Sequence, residues 1–238
     1  MTESAASVLL WAAASVAFIH TLVGVDHYLP FILIGKARQW SVRKTVALTA
    51  LCGVGHVIGS VLLGLVGLAL GVAVQRMEII EGVRGSLAAW GLIAFGLIYA
   101  GVSIVRTARG HKHAHAHAHQ DGTLHDHQHD HHAEHGHGHE VTQRAGLTWW
   151  TLFILFVLGP CEALIPMFMA PAFEHDWALV LAVAGVFSSV TVVTMLGMVT
   201  AGAYGLARLP VRNLERHANT LAGLAIASSG LAIQLLGI

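Results

Sequence analysis

The stretch His20-Thr21-Leu22-Val23-Gly24-Val25-Asp26-His27-Tyr28-Leu29-Pro30-Phe31 closes the first long apolar run of this chain. An aspartate and two imidazoles are costly to place at membrane depth, and ionisable groups there mark substrate or ion sites by default. On a continuous helix His20 and His27 would share a face but stand about 10 Å apart along the axis. Bonds of about 2.1 Å to one ion do not span that gap. Gly24 offers an interruption between them, and Pro30 removes a backbone donor just beyond it. The stretch therefore predicts a helix broken near Gly24, with His20, Asp26 and His27 brought together around the break and freed carbonyls lining a polar cavity. The plainer reading is a helix end near the interface, with Asp26 and His27 as caps and His20 bonded to a neighbouring carbonyl.

The remainder of the chain reads as membrane-embedded. Of its 238 residues 55% are hydrophobic and only 11% charged, with mean hydropathy +0.66, whereas soluble domains carry about 25% charged residues. The formal net charge is zero, which gives no electrostatic case for binding nucleic acid. Cys52 and Cys161 lie far apart and form no CxxC pair. Six stretches are long and apolar enough to span a bilayer, at about 5–23, 46–74, 84–105, 147–171, 177–206 and 218–237. The expected fold is an all-α, polytopic membrane protein, with Ala5 onward read as a retained first span. Eleven basic residues (Lys36, Arg38, Arg43, Lys44, Arg106, Arg109, Lys112, Arg144, Arg208, Arg212 and Arg216) fall in the first, third and fifth connectors. Only Arg76 and Arg84 fall in the second, and none in the fourth. That bias places the third connector in the cytoplasm and both termini outside a plasma (inner) membrane.

A weak internal repeat underlies the spans. Gly24-Val25-Asp26-His27-Tyr28-Leu29-Pro30 resembles Gly159-Pro160-Cys161-Glu162-Ala163-Leu164-Ile165-Pro166, and Glu81–Gly101 aligns with Glu215–Leu235 at nearly the same offset. Three spans per half require the halves 1–106 and 147–238 to be inverted repeats, with helices broken near Gly24 and Gly159, a known transporter plan. The second break carries Cys161 and Glu162 where the first carries Asp26 and His27. Thiolate and imidazole favour later transition metals over Mg²⁺ or Ca²⁺. His56, in Cys52-Gly53-Val54-Gly55-His56-Val57-Ile58-Gly59-Ser60, adds an imidazole in mid-span among glycines that allow close helix approach. The candidate metal ligands are thus His20, Asp26, His27, His56, Cys161 and Glu162. Each has an ordinary alternative: a histidine bonded across a helix pair, a small buried thiol, an interfacial acid.

Between the halves, residues 107–146 hold a histidine tract, with 13 of the chain's 18 histidines at 111–139. Without an apolar run it has no core to fold around and is expected to be disordered. Such tracts bind metal by composition, and this one is positioned to collect, buffer or sense ions on the cytoplasmic side.

Together HTLVGVDHYLPF, CGVGHVIGS, GPCEALIP and the central histidine-rich loop resemble the nickel/cobalt transporters and their relatives in the lysine-exporter (LysE) superfamily, over most of the six-span core. The interval between His20 and Asp26 is one residue longer than in that family's usual nickel signature. The long histidine loop is closest in layout to the efflux branch. The resemblance implies a transporter, not an enzyme, whose cargo is Ni²⁺ or Co²⁺ and which holds no other cofactor. Uptake or delivery to a metalloenzyme would use the same ligands. A thiol-redox role, known in other relatives, would need Cys161 to pair with the distant Cys52. No P-loop GxxxxGK[ST] occurs, so transport is expected to run on a gradient, with protons exchanged for metal at the ligands.

This topology is testable. A cysteine placed beside Gly122 should escape an impermeant thiol reagent in intact cells and react after permeabilisation. Labelling in intact cells would reverse the orientation.

Overall fold

The computed structural model describes residues 2–71, 74–109, 113–118, 124–129, 141–159, 161, 163–208 and 217–236. The first apolar run is helix α1 (Glu3–Val23), whose N-terminus is capped by Thr2. It ends at Gly24, a single 3-10 turn follows (Val25–His27), and α2 (Leu29–Ala37) resumes the run with Pro30 in its first turn, where the missing N–H costs nothing. Ser41 caps α3 (Val42–Ala69) by accepting from the Lys44 N–H at 3.3 Å. The long α4 (Val74–Arg109) closes the first half. The second half repeats the order: α5 (Val141–Leu158), a break at Gly159, α6 (Leu164–Phe173), then α7 (Trp177–Arg208) and α8 (Ala218–Leu236).

Among the described residues five helical segments are long and apolar enough to cross a membrane: Glu3–Val23, Val42–Ala69, Arg76–Ala108, Trp177–Leu206 and Ala218–Leu235. The stretch expected as a span at 147–171 is instead two shorter apolar pieces, α5 and α6, on either side of the break. The exterior matches that reading. Trp11, Leu62, Ile98, Val193 and Leu235 are all exposed, a distribution that suits lipid and would be an aggregation hazard in water. Helix α4 begins at Val74, so Arg76 and Arg84, read from the sequence as connector residues, belong to the helix. Within the connector expected to be disordered, β1 (His113–Ala118) pairs antiparallel with β2 (Leu124–His129). The remainder of the histidine tract lies outside the described residues.

Small residues set the closest helix pair. A Cβ on Gly96 would lie 2.5 Å from the Gly223 carbonyl oxygen, and one on Gly230 would lie 2.6 Å from the Ala89 oxygen. Early α4 thus meets late α8, so the two run antiparallel with backbones in contact, as glycine-lined membrane interfaces allow. A shift of 134 residues carries Gly96 to Gly230 and Ala89 to Gly223. The two contacts are therefore one contact made twice, around a centre where Leu92 and Ile226 are buried together. Elsewhere α3 packs on α7, and α1 packs on α7 as α5 packs on α3.

Because the α4–α8 seam has no room for a methyl group, Gly96→Ala should destabilise the protein by about 1–3 kcal/mol, the usual cost of overpacking. Gly197, beside which an added Cβ meets nothing within 4 Å, should accept alanine with no loss or a gain of up to about 1 kcal/mol from helix propensity. Thermal unfolding in detergent compares the two, and equal midpoints would contradict the seam.

Candidate functional site

Gly24 carries the geometry of the first break. Its N–H still bonds the His20 carbonyl at 2.9 Å, and its own carbonyl turns to accept the His27 N–H at 3.0 Å. That turn folds the His27 ring back over Gly24, so closely that a Cβ there would lie 2.6 Å from His27 Nδ1. His27 Nδ1 donates to the Gly24 carbonyl at 3.1 Å and sits 3.3 Å from Asp26 Oδ1. The His20 and His27 rings stand edge to face, with centroids 5.0 Å apart.

His56 arrives from α3. It lies close to the midpoint of Val42–Ala69, about 20 Å from either end at 1.5 Å per residue, which places it near the middle of any bilayer that α3 spans. Its ring is 5.3 Å from that of His27. His56 Nδ1 donates to the Phe156 carbonyl at 3.0 Å, and a Cβ on Gly159 would lie 3.3 Å from that same nitrogen. The second break thus orients a histidine from another helix, as the first break orients its own.

Both bonds have the same electronic consequence. A carbonyl only accepts, so the proton of His27 and of His56 resides on Nδ1 and the lone pair on Nε2. Among the described residues, the Nε2 atoms of His20, His27 and His56 are buried and have no hydrogen-bond partner. A buried unsatisfied polar group costs roughly 1–3 kcal/mol, and here three gather on residues that line one cavity of about 400 Å³, with Asp26 on the same wall. Imidazoles held through Nδ1 by a backbone carbonyl, with Nε2 open, have the arrangement in which histidine ligates metal. An ion about 2.1 Å from Nε2 sits about 3.2 Å from the ring centroid, so two tetrahedral ligands have centroids about 5.2 Å apart. The observed 5.0 and 5.3 Å are compatible with that spacing, and equally with the edge-to-face contacts these rings make. Among the described residues no group of three or more His, Cys, Asp or Glu side chains is placed to hold a metal ion as the rings stand.

The second break supplies fewer side chains to the cavity than its sequence suggested. Cys161 is fully buried in an apolar cluster with Ala13, Ala17, Leu164 and Phe168, and it does not line the cavity. Glu162 lies outside the described residues. Cys52 packs separately, among Phe31, Phe156, Met195 and Val199, and both cysteines are free thiols. Thr191, on the face of α7 between the buried Phe187 and Met195, also has a buried hydroxyl without a partner.

Two residues that the sequence reading passed over hold this break in place. Arg84 donates from Nη2 to the Gly159 carbonyl at 2.6 Å and to Ser60 Oγ at 2.8 Å, and from Nε to the Leu158 carbonyl at 3.0 Å. Its Nη1 pairs with Glu81 Oε1 at 2.6 Å, while Glu81 Oε2 accepts the Cys161 N–H at 3.1 Å. One cation and one carboxylate thereby cap the carbonyls and the amide that the interruption frees. The available signal was an acid and an arginine at i and i+3 inside an apolar helix, a pair that membrane interiors admit only for a reason.

No protein-family profile, curated protein or solved structure matches this chain.

The bracket makes a specific prediction. Arg84→Ala takes the guanidinium away from the buried carboxylate of Glu81, 1% exposed, at an expected cost of about 3–5 kcal/mol. Glu81→Gln with Arg84→Met removes both charges and should recover most of that loss. A double variant no more stable than Arg84→Ala in detergent unfolding would show that the pair does not act as a bracket.

Proposed function

We propose that this chain is a membrane transporter of divalent transition-metal ions, Ni²⁺ or Co²⁺, which it binds at mid-depth on His20, Asp26, His27 and His56. The observation that carries the reading is the set of three unpartnered imidazole Nε2 atoms on residues lining one cavity beside a carboxylate. Neutral imidazoles supply the lone pairs, and Asp26 supplies the negative charge that offsets the cost of moving a dication out of water. Nitrogen-rich coordination suits Ni²⁺, Co²⁺ and Zn²⁺ better than Mg²⁺ or Ca²⁺. The likeness of HTLVGVDHYLPF and CGVGHVIGS to the nickel/cobalt transporters of the LysE superfamily selects the first two. In this reading α5 and α6 together form the sixth span, and the halves 1–106 and 147–238 are inverted repeats, supported by the duplicated α4–α8 contact.

Efflux is the preferred direction. The histidine tract falls on the side rich in Lys and Arg, where it would gather cytoplasmic ions for the site. Metal and protons compete for the same imidazoles, so inward proton flow would drive metal outward without ATP. The thiol-redox alternative requires Sγ atoms within disulfide reach, and Cys52 and Cys161 instead pack in separate apolar clusters.

Metal accumulation in cells with and without the protein, measured for Ni²⁺, Co²⁺, Zn²⁺ and Cu⁺, fixes cargo and direction. Expression should lower cellular Ni²⁺ or Co²⁺. His20→Ala, Asp26→Asn, His27→Ala and His56→Ala should each weaken binding by more than about 100-fold, since loss of an outer-shell partner alone costs roughly 10–100-fold. Cys52→Ser and Cys161→Ser should be near silent. Fatal cysteine substitutions with tolerant histidines would replace this reading with the redox one.

A further inference from the structure

The cavity lies on one side of the site. Its α4 lining runs from Gly82 to Leu92 and its α8 lining is Ile233 and Gln234, so it occupies the end of the seam where α4 begins and α8 finishes. At the other end the seam is closed by polar contacts. Arg38 Nε donates to Tyr99 Oη at 3.1 Å, and Tyr99 Oη donates to Asn219 Oδ1 at 2.7 Å. The Arg38 guanidinium also lies over the Tyr99 ring, 5.5 Å from its centroid. One turn further out, Thr220 Oγ1 bonds Ser103 Oγ at 2.9 Å.

The duplication seen in the α4–α8 seam makes these two ends comparable. The shift of 134 residues carries Gly85 to Asn219 and Tyr99 to Ile233. Gly85 and Ile233 line the cavity, while their counterparts Asn219 and Tyr99 are joined by a hydrogen bond. Equivalent positions are therefore open on one side of the site and latched on the other. We propose that Arg38, Tyr99 and Asn219 form the closed gate of an alternating-access cycle, and that cargo leaves or enters past them when the latch parts. This rests on the transport reading above. In the orientation set by the basic residues, the latch faces the cytoplasm.

The first broken span links the latch to the site. Arg38 caps the C-terminus of α2, and the turn holding His27 precedes its N-terminus. Between them α2 is a lever of about 14 Å. A ring movement that closes His20, His27 and His56 on an ion pulls at one end of α2, and the guanidinium sits at the other. Two half-buried hydrogen bonds and a cation–π contact are weak enough to release on that pull and strong enough to hold without it.

The test uses the full chain in detergent with Cys52→Ser and Cys161→Ser, so that each variant carries one reporter thiol. Ser86→Cys reports the cavity. Ala222→Cys, at a position 2% exposed and one turn on the site side of Asn219, reports the sealed side. With the latch intact, a hydrophilic maleimide should label Ser86→Cys at least tenfold faster than Ala222→Cys. Tyr99→Phe keeps the ring but removes both hydrogen bonds, and it should raise Ala222→Cys labelling at least tenfold; Asn219→Ala should act in the same direction. Unchanged labelling in both latch variants overturns the gate. Co²⁺ titration followed by visible absorption, parent against His27→Ala, tests the cargo site separately. Labelling that answers to Tyr99 without any His27-dependent Co²⁺ signal retains the gate and removes the metal reading, and the opposite pattern removes the gate alone.

Discussion

A helix interrupted inside a membrane frees backbone carbonyls and amides where lipid offers them no partner. Everything at the centre of this protein follows from how the two interruptions meet that demand. At Gly24 the freed carbonyl takes both the amide and the ring N–H of His27. At the second break the Phe156 carbonyl takes the ring N–H of His56, while Arg84 takes those of Leu158 and Gly159. The groups that would be penalties become the means by which two imidazoles are fixed in one tautomer. Satisfying the backbone and preparing the site are one arrangement.

That arrangement moves the energetic cost from the main chain to the side chains. The carbonyls are paired, but three imidazole nitrogens find no partner among the described residues. A folded state that tolerates several such groups at one place has its deficit where a cation would remove it. Glycine permits this crowding: the His27 ring occupies the space a Cβ of Gly24 would need, and a Cβ on Gly159 would crowd His56.

The seam between α4 and α8 adds a second constraint. Contacts that recur under a shift of 134 residues tie the halves together around Leu92 and Ile226. Under that shift Gly85 corresponds to Asn219 and Tyr99 to Ile233; Gly85 and Ile233 line the cavity, whereas Tyr99 and Asn219 are hydrogen-bonded to each other.

Local chemistry made much of this legible in the sequence. Apolar length fixed five of the spans, because a bilayer sets a minimum run of about 20 residues. Gly24 and Gly159 were readable as breaks, and His20, Asp26, His27 and His56 as groups costly to bury, which the structure brings to one cavity. The failures are those of a one-dimensional view. Cys161 follows its break at a ligand-like position, yet its side chain turns into an apolar cluster, since chain position does not say which way an interrupted segment faces. Arg84 counted as a connector charge because its partners, Ser60, Leu158 and Gly159, come from other helices. Sequence by itself determined which groups had to be buried and where the helices had to stop, since both depend on a residue's own solvation and backbone preferences. Only the tertiary structure decided which nitrogen of His56 stays open and that its ring joins His20 and His27 at one cavity while Cys161 does not, because these depend on contacts between segments distant in the chain.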